Sequence, residues 1–168
     1  RDSRIAEVDR FDAAATELWE RVSPKLSISV RRDATFLNWR YVDVPGKNYV
    51  RLEFRDPGRR LQGYCVAAWR RQPRILSIAD IFADPDDKET VRALVGAILH
   101  LAKEGNATRV FALATDPRLR RHLGQCGFVT SRYECRLTCA PVPGVEGVLR
   151  DASNWYVTLG DSDEELTA

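Results

Sequence analysis

The 168-residue chain contains no methionine, even at position 1, and only two histidines, His100 and His122. The missing methionine leads us to expect a fragment or processed form of a longer protein, with partner residues upstream. Two histidines leave little room for a catalytic triad or a histidine-rich metal site, and no metal is expected. Apolar residues never run to the length of a membrane span, and no charged-then-apolar leader opens the chain. Neither a Gly-x-Ser-x-Gly elbow, a His-Glu-x-x-His pair, a Walker loop nor a dinucleotide fingerprint is present. Charge of one sign is also missing: 26 basic residues face 24 acidic ones, for a formal net charge of +2. A nucleic-acid partner needs an uncompensated basic stripe, so none is expected. The clusters Arg70-Arg71-Arg74 and Arg118-Arg120-Arg121 read as solvated surface.

The four cysteines make neither a disulfide framework nor a zinc pattern. Cys135 and Cys139 are the nearest pair, and on an extended strand four residues span about 13 Å, too far for one bridge or one metal. Cys65 and Cys126 stand in apolar segments, where a free thiol behaves as a small hydrophobe. This usage fits a reducing, cytoplasmic compartment.

What is present is a 44% hydrophobic chain, enough for one compact domain over residues 1–168. Arg4 to Val8 predicts a short strand. Phe11, Ala14, Ala15, Leu18, Trp19 and Val22 share the face of a helix from about Asp9, stopped by Ser23-Pro24. A second helix follows Arg32, with Asp33 as its cap, and ends before Pro45. Alternation then predicts a strand from Asn48 to Arg55, a type II turn at Asp56-Pro57-Gly58, a central strand Leu61–Trp69, a turn near Gln72-Pro73 and a third strand Ile75–Phe82. Asp86 and Glu89 have capping-box spacing at the start of the longest helix, which ends at Gly105-Asn106. A buried strand at Val110–Ala114 and a helix from Asp116-Pro117 to Gly127 follow. An alternating strand from Val129 through Tyr133, Cys135, Leu137 and Cys139 comes next, then a loop carrying Pro141, Pro143, Gly144 and Gly147, and a last strand Asn154–Leu159. The fold class is α+β, with six or seven strands in a central mixed, mostly antiparallel sheet flanked by helices. Ile75–Phe82 and Val110–Ala114 are expected to be parallel neighbours under the long helix.

One charge interrupts this pattern. Alternation places Asp80 with Leu76, Ile78 and Phe82. A carboxylate among apolar side chains is either paired, with Arg40 as the favoured partner, or raised in pKa and suited to taking a proton from an amine. Trp39, Tyr133, Trp155 and Tyr156 are either core or the lining of a cleft where strands splay.

The element order resembles the GNAT (acyl-CoA N-acyltransferase) superfamily over essentially the whole chain. Three strings carry the likeness: Phe36-Leu37-Asn38-Trp39-Arg40-Tyr41 followed by Pro45, Gln125-Cys126-Gly127-Phe128, and Trp155-Tyr156-Val157-Thr158-Leu159-Gly160-Asp161-Ser162-Asp163. They look like segments of bacterial GNAT-like proteins, the last like the terminus of the C-terminal half of a tandem protein. The resemblance implies acyl transfer from acetyl-CoA or another acyl-CoA to a small-molecule amine. It also places the coenzyme A loop, an Arg/Gln-x-x-Gly-x-Gly/Ala string, at Lys88-Glu89-Thr90-Val91-Arg92-Ala93. Lys88 and Ala93 fit that pattern, whereas Val91 stands where a glycine belongs. Asp84, Asp86, Asp87 and Glu89 crowd negative charge where a pyrophosphate would sit. The family's proton donor to the departing thiolate, a tyrosine, falls at Leu123, and His122 beside it is the nearest titratable group, unless it is a plain surface histidine. Two readings stay open. In one, Asp80 and His122 carry acyl transfer. In the other, the chain is a non-catalytic half-domain that binds or scaffolds beside an upstream twin and holds no cofactor.

Overall fold

The structure, a computed structural model, describes residues 2–70, 74–131, 140 and 144–162. Strand β1 (Ile5–Glu7) leads to helix α1 (Ala13–Val22), capped by Asp12 accepting from the Ala14 amide. Strand β2 (Ile28–Ser29) and helix α2 (Ala34–Tyr41) follow, and the Asp33 carboxylate caps α2 through the Phe36 amide at 2.8 Å. Three long strands, β3 (Tyr49–Arg55), β4 (Leu61–Arg70) and β5 (Ile75–Ala83), make an antiparallel meander. Helix α3 (Lys88–Glu104) crosses over to β6 (Arg109–Ala112), which pairs parallel with β5 from Ile75↔Arg109 to Ile78↔Ala112. Helix α4 (Pro117–Gln125), short helix α5 (Glu146–Arg150) and strand β7 (Trp155–Tyr156) complete the described chain.

The main sheet has five strands in the order β1-β3-β4-β5-β6, and β2 and β7 form a separate parallel pair. Six or seven strands in one sheet were expected. Val129–Ser131 form no strand, and the remainder of that predicted strand lies outside the described residues, as do the turn at Gln72-Pro73 and the prolines of the following loop. The predicted strand Asn154–Leu159 forms a strand at Trp155–Tyr156, makes a single bridge at Thr158, and then coils into a 3-10 turn, Leu159–Asp161. The expected α+β class and the parallel β5–β6 pair both hold.

Two local expectations change. At the β3–β4 hairpin the left-handed residue is Arg59 (φ 65°), not Gly58, and the Arg59 amide donates to Asp56 O at 2.8 Å. That is the hairpin form in which a turn is followed by an αL residue, so no type II turn is needed. The cap of α3 is Asp87, not Asp86: its carboxylate takes the Thr90 amide at 3.1 Å and the Thr90 hydroxyl at 2.6 Å. Leu94, Val95 and Ile98 of α3 are fully buried. Gly63 of β4 lets the first turn of α3 seat directly on the sheet, since a Cβ there would come within 2.6 Å of Thr90 Cγ2. Among the described residues, no helix is long and apolar enough to cross a membrane.

Candidate functional site

Beyond Ile78 and Ala112 the strands β5 and β6 part. β5 runs on to Ala83, while Ala114, just past β6, bridges antiparallel to Thr158. Residues 155–162 thread into the opening. Tyr156 donates its hydroxyl to Ile81 O, the Thr115 amide donates to Val157 O at 3.3 Å, and Val157 N donates to Thr115 Oγ1 at 2.9 Å. Gly160 packs so closely that a Cβ would stand 2.0 Å from the Tyr41 hydroxyl and 3.1 Å from Ala79 O. The opening between the strands is therefore filled by a strap of the chain's own backbone.

Asp80 lies under this strap and is completely buried. Ala79 is an extra residue in β5, because Val66 pairs with Asp80 and Ala67 with Ile78. One inserted residue reverses the alternation, so Asp80 leaves the face it would share with Leu76 and Ile78. Its partner is not Arg40 but Arg32. Arg32 Nε donates to both carboxylate oxygens at 3.2–3.3 Å, Tyr64 OH to Oδ2 at 2.9 Å and Thr158 Oγ1 to Oδ1 at 3.0 Å. Arg32 is itself fully buried; it also pairs with Asp161, donates to Val30 O, and lies 5.2 Å from the Tyr156 ring centroid. Burial alone would lower the Arg32 pKa, but Asp80 and Asp161 outweigh it and hold it above the ordinary value. Burial likewise lifts the Tyr64 and Tyr156 phenols well above their usual range. This arrangement suits an ion pair better than a base: the carboxylate has donors on both oxygens and no exposed surface.

Arg40 instead serves the strap, donating to Gly160 O at 3.0 Å and Ser162 O at 3.2 Å. α2 puts it there because Trp39, its neighbour, takes the outward face and stays 65% exposed. Phe36, Trp39, Val44 and Pro45 line a cavity of about 450 Å³ with Val30 and Asp161. Of the aromatics proposed for a cleft, Trp39 lines this surface cavity, Trp155 is half-buried, Tyr156 is core, and Tyr133 lies outside the described residues. Asp161 was not anticipated. The Thr-x-x-Asp spacing of Thr158 and Asp161 was its sequence signal, since it forms a capping box. Burial raises the Asp161 pKa against the pull of Arg32, and Asp80 adds to the rise.

His122 is not a surface residue: it is buried on α4 beside Leu119 and Leu123, and its Nε2 is 3.0 Å from Pro85 O. A ring nitrogen facing a carbonyl carries the proton, which leaves Nδ1 as the acceptor. That atom is buried with no hydrogen-bond partner among the described residues. His122 thus ties α4 to the loop before α3, on a different element from Asp80, and no contact joins the two. His100 is exposed and 3.3 Å from Glu104.

Most amides at the start of α3 are satisfied from within. The amide of Asp86 donates to Asp84 Oδ1, that of Asp87 to Asp84 O, that of Lys88 to Asp86 O, that of Thr90 to Asp87 Oδ1 and that of Val91 to Asp87 O. Val91 is 3% exposed and belongs to the core, Ala93 is half-buried and Lys88 is exposed. Asp84 is held below the ordinary carboxylate range: burial pulls it up, but Lys25, 2.5 Å away, prevails.

No protein-family model matches the chain, and no curated protein matches it in sequence. Solved structures do match in shape. A ribosomal-protein-alanine N-acetyltransferase from Brucella melitensis superposes with TM-score 0.57 at 15% identity, covering 81% of this chain and 99% of its own. A Trypanosoma brucei acetyltransferase gives TM-score 0.57 at 17% identity, covering 80% and 98%. An aminoglycoside 6'-N-acetyltransferase from Acinetobacter baumannii gives 0.54 at 13% identity, covering 82% and 98%. The fold is that of the GNAT acyltransferases.

A GNAT fold implies coenzyme A, whose pyrophosphate would need free backbone N–H groups at the start of α3. Here the amides of Asp86, Asp87, Lys88, Thr90 and Val91 are already engaged by Asp84, Asp86 and Asp87, and Val91 is turned into the core. The residues present do not fit the group. Of the loop positions, Lys88 and Arg92 offer exposed positive charges, on a helix start crowded with carboxylates.

Proposed function

We propose that this GNAT-fold domain is a binding module that does not itself carry acyl-CoA, in the manner of a non-catalytic half of a tandem protein. The observation that carries this reading is the closed start of α3, where carboxylate and carbonyl oxygens of the chain occupy the amides a pyrophosphate would use. The strap over Asp80 supports it as well, because Asp80, the carboxylate put forward to take an amine proton, is spent on Arg32. The free thiols Cys65 and Cys126 favour a reducing, cytoplasmic setting.

Calorimetric titration with acetyl-CoA tests the proposal. The expected result is no saturable heat at millimolar ligand. Ligand at 100 times a true dissociation constant would stabilise the fold by about 2.7 kcal/mol, so thermal shift gives an independent check. The likeness in fold to N-acetyltransferases favours one competing reading, acyl transfer to a small-molecule amine with Asp80 and His122 as proton carriers. Saturable micromolar binding that is lost in Lys88→Glu would establish that reading in place of ours.

A further inference from the structure

Under the strap, one guanidinium faces two carboxyl groups. Arg32, Asp80 and Asp161 have side-chain exposures of 0%, 1% and 6%, and Asp80 comes from β5 while Asp161 ends the last turn of the strap. With both acids ionised the cluster would hold a surplus negative charge away from water. Two carboxylates sharing one buried site resist ionising together, and a proton cancels the surplus.

A count of hydrogens points the same way. The Thr158 hydroxyl lies between the two acids, 3.0 Å from Asp80 Oδ1 and 3.3 Å from Asp161 Oδ2. It has one hydrogen and can donate it to only one of them. Asp80 is the nearer. If Asp161 is ionised as well, its contact with Thr158 sets oxygen against oxygen with no hydrogen between them. A proton on the Asp161 carboxyl supplies the missing hydrogen. Asp161 then donates to Thr158 Oγ1, Thr158 donates to Asp80 Oδ1, and Asp80 still accepts from Arg32 Nε and the Tyr64 hydroxyl.

Charged and titratable groups surround Asp161 from every packed element. Arg32 stands on the connector before α2, Asp80 on β5, and the Tyr64 phenol on β4 behind Asp80. The Tyr156 phenol comes from β7, and the charge of Asp116 acts on it. From α2 the Tyr41 phenol packs on Gly160, and Arg40 donates to Gly160 O and Ser162 O, on either side of Asp161. Burial and Asp80 outweigh the attraction of Arg32 and hold the Asp161 carboxyl above its ordinary range. The Tyr64 and Tyr156 phenols are raised further from neutrality and stay protonated.

We infer that the strap is a proton-linked latch: it closes over Asp80 with one proton held between Asp161, Thr158 and Asp80, and it loosens when that proton leaves. Thr158 and Asp161 are the strap's hold on Asp80 and Arg32, so residues 158–162 loosen first and uncover the gap between β5 and β6. The sign follows from the closed form binding its proton more tightly than the open one. Closure is favoured below the ordinary carboxyl value of 3.8 and weakens as pH rises through the raised one. The latch does not rest on the reading of the domain as a binding module.

Amide hydrogen exchange of the whole chain tests it, measured at several pH values and corrected for the intrinsic rate at each. The amides of Thr158, Asp161 and Ser162 donate within the strap and report its closure, while those of the buried Leu94 and Ile98 in α3 report the rest of the fold. The expected result is a loss of strap protection of about tenfold or more between about pH 4 and about pH 7, with α3 protection unchanged. Asp161→Asn and Asp80→Asn each remove one of the two negative charges, and each should flatten the profile. The carboxyl-carbon NMR shift of Asp161 gives a second reading in the unaltered chain, and its midpoint should lie above those of the exposed aspartates. Strap protection that is level or rises with pH, a loss shared equally by α3, the same loss in both variants, or an Asp161 midpoint no higher than the exposed ones would each overturn the inference. The acetyl-CoA titration stands apart from all of these outcomes.

Discussion

Arg32 and Asp161 are 129 positions apart in sequence and form an ion pair whose side chains are 0% and 6% exposed. Asp80 completes the cluster from the middle of the chain, so three distant segments meet at one guanidinium. Removing that guanidinium leaves two buried carboxylates facing each other. We expect Arg32→Met to destabilise the fold by about 3–5 kcal/mol, as for a buried pair broken on one side. Urea denaturation followed by tryptophan fluorescence measures it, and a loss below about 1 kcal/mol would show the cluster to be solvated.

The pH dependence of the cluster follows from Asp161. Its folded-state pKa lies above the ordinary 3.8, because burial and Asp80 outweigh the attraction of Arg32. The groups packed around it are Arg32, Asp80, Thr158 and the Tyr156 phenol, which is itself raised. A raised carboxyl contributes stability that is fully present below its unfolded pKa and lost as pH rises through its folded pKa. The chain should therefore lose part of its stability on going from acid toward neutral pH, and Asp161→Asn should lack that loss. The two melting temperatures plotted against pH should diverge in that direction; parallel curves would contradict it.

Putting glycine back at position 91 should not create a phosphate cradle. Val91 is 3% exposed in the core, so Val91→Gly opens a cavity and loosens the helix, at a cost of about 2–4 kcal/mol. The surrounding amides remain tied to Asp84, Asp86 and Asp87, and acetyl-CoA titration of the variant should stay flat. Restored binding would place the whole defect in that one side chain.

Gly160 holds the strap against Tyr41. A methyl group there would meet the Tyr41 hydroxyl at 2.0 Å and Ala79 O at 3.1 Å. Gly160→Ala should cost about 1–3 kcal/mol through overpacking. In a Tyr41→Phe background the same change should cost less, since the nearest atom is gone. A double-mutant cycle reads the difference; strict additivity would mean that the strap yields elsewhere.

Much of the fold could be read locally. α1 and α3 announce themselves by apolar spacing, and the expected caps Asp33 and Asp116 each accept from the helix they start. The parallel β5–β6 pair follows from a helix lying between two apolar strands. The burial of Asp80 was legible because a carboxylate is out of place in such a strand. Its partner was not, because Arg32 sits on a connector 48 residues away and no spacing rule links the two. The bulge at Ala79 was hidden for a related reason: alternation is a property of one strand, whereas a bulge is a property of a pair. Burial of His122 was open to view and missed, for it follows Leu119 by three positions and precedes Leu123 by one, on the face that packs inward. The strap reads in sequence as an ordinary last strand; its hydrogen bonds go to several separate elements, and only the assembled sheet decides that.

The strap also joins the two ends of the described chain. Strand β2, near the start of the chain, has its only partner among the described residues in β7, near position 155. Without residues 155–162, Arg32 and Asp80 would lack Asp161 and Thr158, and β5 would lack the backbone that fills its outer half. Meander and helices alone therefore leave the sheet incomplete. The strap's contacts with β2 and Arg32 span more than 120 positions, and carry the loop-closure cost of such long-range pairing.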